Sequence, residues 1–442
     1  MKKIVILLVY TLTLNLALGQ SMVLPPKSRA PLEAIEAIKN NKLIGSDSTF
    51  RLLSEWKQYQ EIPQVDQEYL YFYNDSVFGQ VPVRIFIPKG YSNSKKSPLL
   101  LLLHGAVGRS SFTAALKPDS STSEEDIFFQ YFTKQDFIVV RPYADRSKQF
   151  DWVRNGFKPS QNLTYNTLAS IVEELKLVLN IDDSKIYGLG HSDGSDGCVG
   201  LLLYKPTLFA GFIAYNSMIF NIHANNFYLR NTANRPLYIV HSDKDVIRPV
   251  EQARLIVTLL DSIKSPVLYK EYHGYEHYDE HLLKDLPLAT KFLKGISRNP
   301  FAKQVYWETN NIHNKQCDWL KINEFNAAQE ASLWHKGLNT ISYNKIDKVF
   351  VDEPYYGTID KSAAVTGFYQ NNTFYINTSR VKELEVLISN VMVNLEEPVK
   401  IILNGEVAYH DRVSINKSFL LNNFLKNFDR QALWVNSIKL KL

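Results

Sequence analysis

Ile186-Tyr187-Gly188-Leu189-Gly190-His191-Ser192-Asp193-Gly194 decides how this chain is read: an apolar strand ending runs straight into a serine framed by Gly190 and Gly194. A G-x-S-x-G string puts its serine on a strained strand-to-helix turn, and the flanking glycines are needed because larger side chains would collide with the neighbouring strand and helix. Three fixed positions in five also arise by chance, so an ordinary glycine-rich turn is the competing reading. Context separates the two. Lys185 to Leu189 reads as a short buried strand, and Ser195 to Tyr204 (SDGCVGLLLY) reads as a helix leaving the turn.

Working outward, the same alternation recurs on both sides. Upstream lie the strand-like runs YLYFY after Glu68, Val81 to Ile87, Ser97 to Leu103 ending in His104-Gly105, and Phe137 to Val140 before Arg141-Pro142. The unbroken LLLLL run suits a central strand covered on both faces. Tyr165 to Leu179 has the spacing of an amphipathic helix. Downstream, strands are expected at Phe209 to Asn216, Pro236 to His241 and Val267 to Tyr272, with helices at Pro249 to Leu260 and Leu282 to Gly295. Strands alternating with helices predict an α/β, doubly wound, mainly parallel sheet.

The chain is 442 residues long and 45% hydrophobic, enough for two sizeable cores. Residues 1–19 carry Met1-Lys2-Lys3, an apolar run and small residues at Ala17 and Gly19, the pattern of a signal peptide cleaved near Gly19. A secreted or periplasmic protein is therefore expected, without stable membrane insertion, since no later stretch approaches the ~20 apolar residues of a spanning helix. Residues 20–67 read as a helical lead-in, with helices near Leu32 to Ile38 and Phe50 to Tyr59, 68–298 as the catalytic domain and 299–442 as a smaller β-rich C-terminal domain. Net charge is +5, from 50 basic and 45 acidic residues spread along the chain, so no nucleic-acid groove is expected. Of the two cysteines, Cys198 reads as a small buried helix residue and Cys317 is distal, so no bridge between them is expected.

A serine hydroxyl needs a base, an acid that orients the base, and donors for the oxyanion. His241-Ser242-Asp243-Lys244-Asp245 follows one predicted strand, and Asp245 is the preferred acid, with Asp243 as fallback. Three histidines follow the last strand, and His277 is preferred because it comes after the Gly274 turn and ahead of the closing helix. His273 is nearly in the strand and His281 already on the helix. His191 is given a supporting role, and His104 reads as shaping its loop. The backbone N–H groups of Ala106 and Asp193 are the expected oxyanion donors, with Val107 a second choice. Asp193, Asp196, Asp243 and Asp245 together suggest a metal site only weakly, because no H-E-x-x-H or clustered His/Cys spacing accompanies them. No metal or cofactor is expected.

With these four elements in order over Glu68 to Gly295, LHGAVG, GHSDG, HSDKD and HGYEH together resemble the α/β-hydrolase superfamily. FIVVRPYADRSKQFDW, NIDDSKIYGLGHSDG and YKPTLFAGFIAYNS are similar to secreted esterases of the polyhydroxybutyrate depolymerase and feruloyl esterase kind. The resemblance implies an α/β-hydrolase fold and a serine esterase, with Ser192 as nucleophile, His277 as base and Asp245 as its acid, acting on a small-molecule or polymeric ester. Ser195 departs from the second glycine of many relatives and bears on substrate. The resemblance stops near Asn299. A prolyl-oligopeptidase-like peptidase shares the residue order but would carry a propeller first, for which the stretch before Glu68 is too short. A third reading is a binding protein on a hydrolase scaffold that grips carbohydrate or another surface through Trp307, Trp319, Trp334 and Trp434, against which stands ordinary core packing of those rings. The polar stretches Gly108 to Asp126 and Asp145 to Asn162 are expected at the rim of the site.

Overall fold

Leu99 to Leu103 point alternately to the two faces of a strand, and all five are at most 2% exposed. Only a sheet covered on both sides buries such a run. The computed structural model describes residues 22–117, 123–153, 163–219, 228–344, 349–354 and 361–442. Residues 1–21, with the expected signal peptide, lie outside the described residues, as do 118–122 and 154–162 of the two expected rim stretches.

Among the described residues the central sheet has nine strands in the order β1-β2-β3-β5-β4-β6-β7-β8-β9. They are β1 (Met22–Val23), β2 (Gln67–Asp75), β3 (Gly79–Ile87), β4 (Ser97–Leu103), β5 (Ile138–Pro142), β6 (Ile181–His191), β7 (Gly211–Tyr215), β8 (Leu237–Ser242) and β9 (Val267–Tyr272). Every pairing from β5 across to β9 is parallel, whereas β3 runs antiparallel to both β2 and β5. Leu99, Leu101 and Leu103 share one apolar cluster with the helices Leu163–Leu175, Asp193–Tyr204 and Val250–Ser262. Leu100 and Leu102 join Phe128 and Phe132 of helix Ser123–Phe132 and Leu282, Leu286 and Leu293 of helix His281–Gly295 on the other face. This is the α/β-hydrolase fold, and the strand period of two is what divides the core between its faces.

Several boundaries differ from the sequence expectation. The strand expected to stop before Arg141-Pro142 runs through both; Pro142 pairs with Val83 of β3 but lies past the last residue paired with β4, where its missing N–H is not needed. The helix expected near Phe50 to Tyr59 is Ser46–Ser54, and Trp56 leaves it to pack edge-on against Phe428.

Beyond residue 303 the chain is β-rich. One sheet joins β10 (Gln304–Thr309), β15 (Ala363–Gln370), β16 (Thr373–Ser379), β18 (Val399–Leu403) and β19 (Glu406–Asp411). A second joins β11 (Gln316–Cys317), β12 (Leu320–Phe325), β17 (Val381–Ile388) and β20 (Asn436–Lys441), and β13 (Asn339–Asn344) pairs antiparallel with β14 (Val349–Pro354) in a separate two-stranded sheet. Trp307, Trp319 and Trp434 lie in the core of this region. Helix Lys417–Asn427 was not expected. Its Leu420, Leu421 and Phe424 share an apolar cluster with Ile35 and Leu53 from the two helices near the beginning of the chain.

Buried ion pairs tie this region to the central sheet. Arg235 makes a two-pronged contact with Asp318, and both side chains are at most 4% exposed. Arg430 reaches Asp183 at the start of β6, and Arg298 reaches Asp429 at 2.7 Å. Burial pushes the Asp429 carboxyl up, but the charges of Arg298 and Lys176, with the hydrogen bonds from Arg298 and Ala432 N–H, outweigh it and hold the group well below the ordinary carboxylate range.

Candidate active site

Every polar group of interest sits where a parallel strand ends, on one edge of the sheet, which is where α/β sheets place their ligands. Between the end of β6 and the helix Asp193–Tyr204 stands Ser192 alone, with φ 55° and ψ −126°. A serine in that region is strained by ~1–3 kcal/mol, so the surroundings must hold it. They do so through its own peptide groups: Ser192 N–H donates to Tyr215 O (2.9 Å), and Ser192 O accepts from Ser195 N–H (3.0 Å) and the Ser195 hydroxyl (2.6 Å). Ser195 is fully buried and committed to the turn, so the position that departs from the family pattern faces the elbow and not the solvent.

The framing glycines answer to close backbone packing. A Cβ at Gly190 would lie 2.2 Å from Gly194 C, and one at Gly194 would lie 1.9 Å from Leu103 O, backbone that no rotamer change relieves. Gly194→Ala should therefore cost at least the ~1–3 kcal/mol typical of overpacking. Urea unfolding of that variant should show the loss, and an unchanged midpoint would refute it.

His277 stands between the Gly274 turn and the closing helix, 8% exposed. Its backbone is held on both sides: Glu276 O accepts from the Ser242 hydroxyl (2.8 Å), and His277 O accepts from His191 Nε2 (2.9 Å). Burial, then the neighbouring His277 ring, push His191 well below the ordinary histidine range, so it stays a neutral donor that positions the loop. The His277 ring bridges the other two residues. Nε2 lies 2.9 Å from Ser192 Oγ, and Nδ1 lies 2.6 Å from Asp245 Oδ2.

Asp245 follows β8. Its Oδ1 accepts from Ile247 N–H (2.9 Å) and Arg248 N–H (2.8 Å), and its Oδ2 accepts from His277 and from Asn216 Nδ2 (2.8 Å). Burial alone would raise this carboxyl, but the hydrogen bonds from His277, Asn216 and Arg248 N–H outweigh it and bring it down to about 2. Asp243, the fallback acid, is not brought to His277. It accepts from Gly274 N–H (2.7 Å) and faces His273 at the exposed rim.

Two residues absent from the sequence expectation complete the arrangement. Asn216, in the left-handed region just after β7, donates to Asp245 and to Ser242 Oγ (2.7 Å), while its Oδ1 faces His281 Nε2 (3.1 Å). Burial lowers His281 to about 4, consistent with a neutral ring donating to Asn216. Arg248 is 3% exposed, and its guanidinium holds Asp193 (2.7 Å) and the fully buried Asp196 (2.6 Å). Asp196 also accepts from the Ser217 hydroxyl and Met218 N–H. A polar residue directly after an apolar central strand is the signal that could have flagged Asn216; Arg248 carries none beyond its closeness to Asp245.

On the oxyanion side, Ala106 is left-handed, φ 46° and ψ 44°. Among the described residues the N–H groups of Ala106 and Asp193 donate to no protein group, whereas Val107 N–H is taken by Asp193 Oδ2 (3.0 Å). The second-choice donor is thus part of the scaffold. His104 lies in the loop wall: Nε2 accepts from Ala144 N–H, Nδ1 faces Gly105 O, and the ring meets Trp152 edge-on. Burial lowers it to about 4.

The four aspartates weighed as metal ligands are parted, Asp193 and Asp196 onto Arg248, Asp245 onto His277 and Asp243 onto Gly274. Among the described residues no group of three or more His, Cys, Asp or Glu is placed to hold a metal ion. Both cysteines are buried free thiols, and burial raises Cys198 far above the ordinary thiol range. Among the described residues no helix is long and apolar enough to cross a membrane.

No protein-family model matches the chain, and no characterised protein matches it in sequence. Solved structures align with part of the chain. A thermostable esterase aligns at 21% identity and a TM-score of 0.42 over 53% of this chain and 64% of that one. Dipeptidyl peptidase 4 of Porphyromonas gingivalis aligns at 12% identity and 0.42 over 53% and 36%. A ferulic acid esterase aligns at 14% identity and 0.39 over 51% and 97%. The chain thus spans less than two thirds of the first two.

Proposed function

With the α/β-hydrolase fold as its frame, we propose that this chain is a secreted serine hydrolase that cleaves carboxylic esters through an acyl-enzyme. The observation that carries the reading is the unbroken hydrogen-bonded line from Asp245 through both nitrogens of His277 to Ser192, at 2.6 and 2.9 Å. In this reading Ser192 Oγ attacks the acyl carbon while His277 Nε2 takes its proton. Asp245, ionised, holds Nδ1–H and stabilises the imidazolium that forms. The N–H groups of Ala106 and Asp193 receive the developing oxyanion, and His277 returns the proton to the leaving alcohol. Water then repeats the sequence on the acyl-enzyme, with His277 again the base.

The choice of esters rests on the resemblance of the phrases around β5, β6 and β7 to secreted esterases, and secretion rests on the charged and apolar pattern of residues 1–19. A fluorophosphonate probe tests the chemistry, because it reacts only with an activated serine. Labelling that maps to Ser192 is expected, followed by turnover of p-nitrophenyl esters. Folded protein that takes no label refutes the proposal.

A further inference from the structure

Of the four distal tryptophans, Trp307, Trp319 and Trp434 are at most 1% exposed, whereas Trp334 is 36% exposed. An exposed indole is informative when the fold works to keep it there. The loop that carries Trp334 is sewn to the β16–β17 corner on both sides of the ring. Ser332 N–H donates to Ser379 Oγ (3.0 Å) and the Ser332 hydroxyl to Thr378 O (3.0 Å). His335 contacts Ser379 Oγ through Nδ1 (2.9 Å) and Glu308 Oε1 through Nε2 (2.8 Å). Earlier in the loop, Asn326 N–H donates to Arg380 O and Arg380 Nε to Gln329 O, each at 2.8 Å. Ser379, His335 and Glu308 thus repeat the residue types of a catalytic triad, but Ser379 is 2% exposed and accepts a backbone N–H, so they act as an anchor.

Trp334 lines a groove of about 830 Å³, and the groove wall is rich in side-chain amides: Asn326, Gln329, Asn377 and Asn404. The side chains of Gln329 and Asn377 are exposed and bond to no protein group among the described residues. Among the described residues no carboxylate side chain lines the groove, and Lys382 in its wall is paired with Glu324. Arg380 is tied to the loop and the strand end through main-chain carbonyls, donating Nε–H to Gln329 O (2.8 Å) and an Nη1–H to Ser362 O (3.4 Å). A sugar ring offers an apolar C–H face flanked by hydroxyls that both donate and accept. An indole face supplies the first partner, and amides, which also do both, supply the second.

We infer that the groove beside Trp334 binds a neutral oligosaccharide, at a site separate from Ser192 and independent of its chemistry. Because the loop's backbone is fixed beforehand, little backbone ordering opposes binding. The test is affinity electrophoresis of the full chain through soluble neutral xylan and hydroxyethyl cellulose, with polygalacturonate as the acidic arm. Retardation in at least one neutral glycan is expected, unchanged by Ser192→Ala. Trp334→Ala should weaken it about tenfold, the upper range of an aromatic contact, and Asn377→Ala should weaken it too. Both variants should hydrolyse a soluble p-nitrophenyl ester as the parent does, if the parent does so. No retardation of the folded parent, retardation in polygalacturonate alone, or equal retardation of Trp334→Ala overturns the inference. Failure of Ser192 to label leaves the glycan result standing by itself.

Discussion

Asp245→Asn is expected to lower kcat/KM on a chromogenic ester by about 10³–10⁴-fold, the loss seen when a triad acid becomes an amide, while Asp243→Asn leaves it nearly unchanged. The reason lies in the donor count. Asp245 receives four donors, from His277, Asn216, Ile247 N–H and Arg248 N–H. An asparagine keeps one acceptor oxygen and must turn its NH₂ toward two of those donors. Turned to His277, it forces the other imidazole tautomer and removes the acceptor nitrogen from Ser192. The pH sign follows from the same bonds. With the folded carboxyl lowered to about 2, the stability it contributes is present above its unfolded value near ~3.9 and is lost as pH falls through about 2. Ionisation of Asp245 therefore does not set the acid limb of activity. Acid titration by circular dichroism should show the parent losing this contribution and Asp245→Asn lacking it; identical acid profiles, or a rate within about tenfold of the parent, would sink the assignment.

Arg248→Met should destabilise the protein by about 3–5 kcal/mol, the cost of leaving buried charge without its partner. Asp196 is fully buried and Asp193 spans from the guanidinium to Val107 N–H. One side chain therefore links the acid loop, the elbow helix and the loop after β4, and removing it strands Asp196 while freeing the grip on Val107. Arg248→Lys should recover only part, because an ammonium cannot present two planar prongs to two carboxylates. Combining Arg248→Met with Asp196→Asn should cost less than the sum of the single changes, since the stranded charge is gone. Urea unfolding measures the four variants, Asp196→Asn included, against the parent, and a loss under ~1 kcal/mol for Arg248→Met would show that water reaches the carboxylates.

What could be read from sequence follows the range over which each signal acts. The LLLLL strand, the elbow and the order of the serine, acid and histidine are written in short stretches whose period or glycine content is itself the cause of the structure. Asn216 and Arg248 act across 29 and 55 residues of chain, and nothing beside them in sequence announces the partner. β15 was hidden by its small residues, yet Gly367 is small because a Cβ there would lie 2.9 Å from the buried ring of Trp319. Helix Lys417–Asn427 did carry a local sign, the Asn416 side chain accepting from Phe419 N–H. Its two interior asparagines weakened the pattern enough to hide it.

The apolar cluster shared by Ile35, Leu53, Leu420 and Phe424 sets a timetable for biogenesis. Lys417 Nζ bonds to Asn41 O across a separation of 376 residues, a length that takes a ribosome roughly 20–75 s at ~5–20 residues per second. Through that interval the two early helices have been made, and their greasy faces have only each other, Trp56, Tyr59 and Leu177 as mates. They wait for a chaperone, or for Leu420 to Phe424 to arrive, so two helices made early are late to acquire all of their native neighbours.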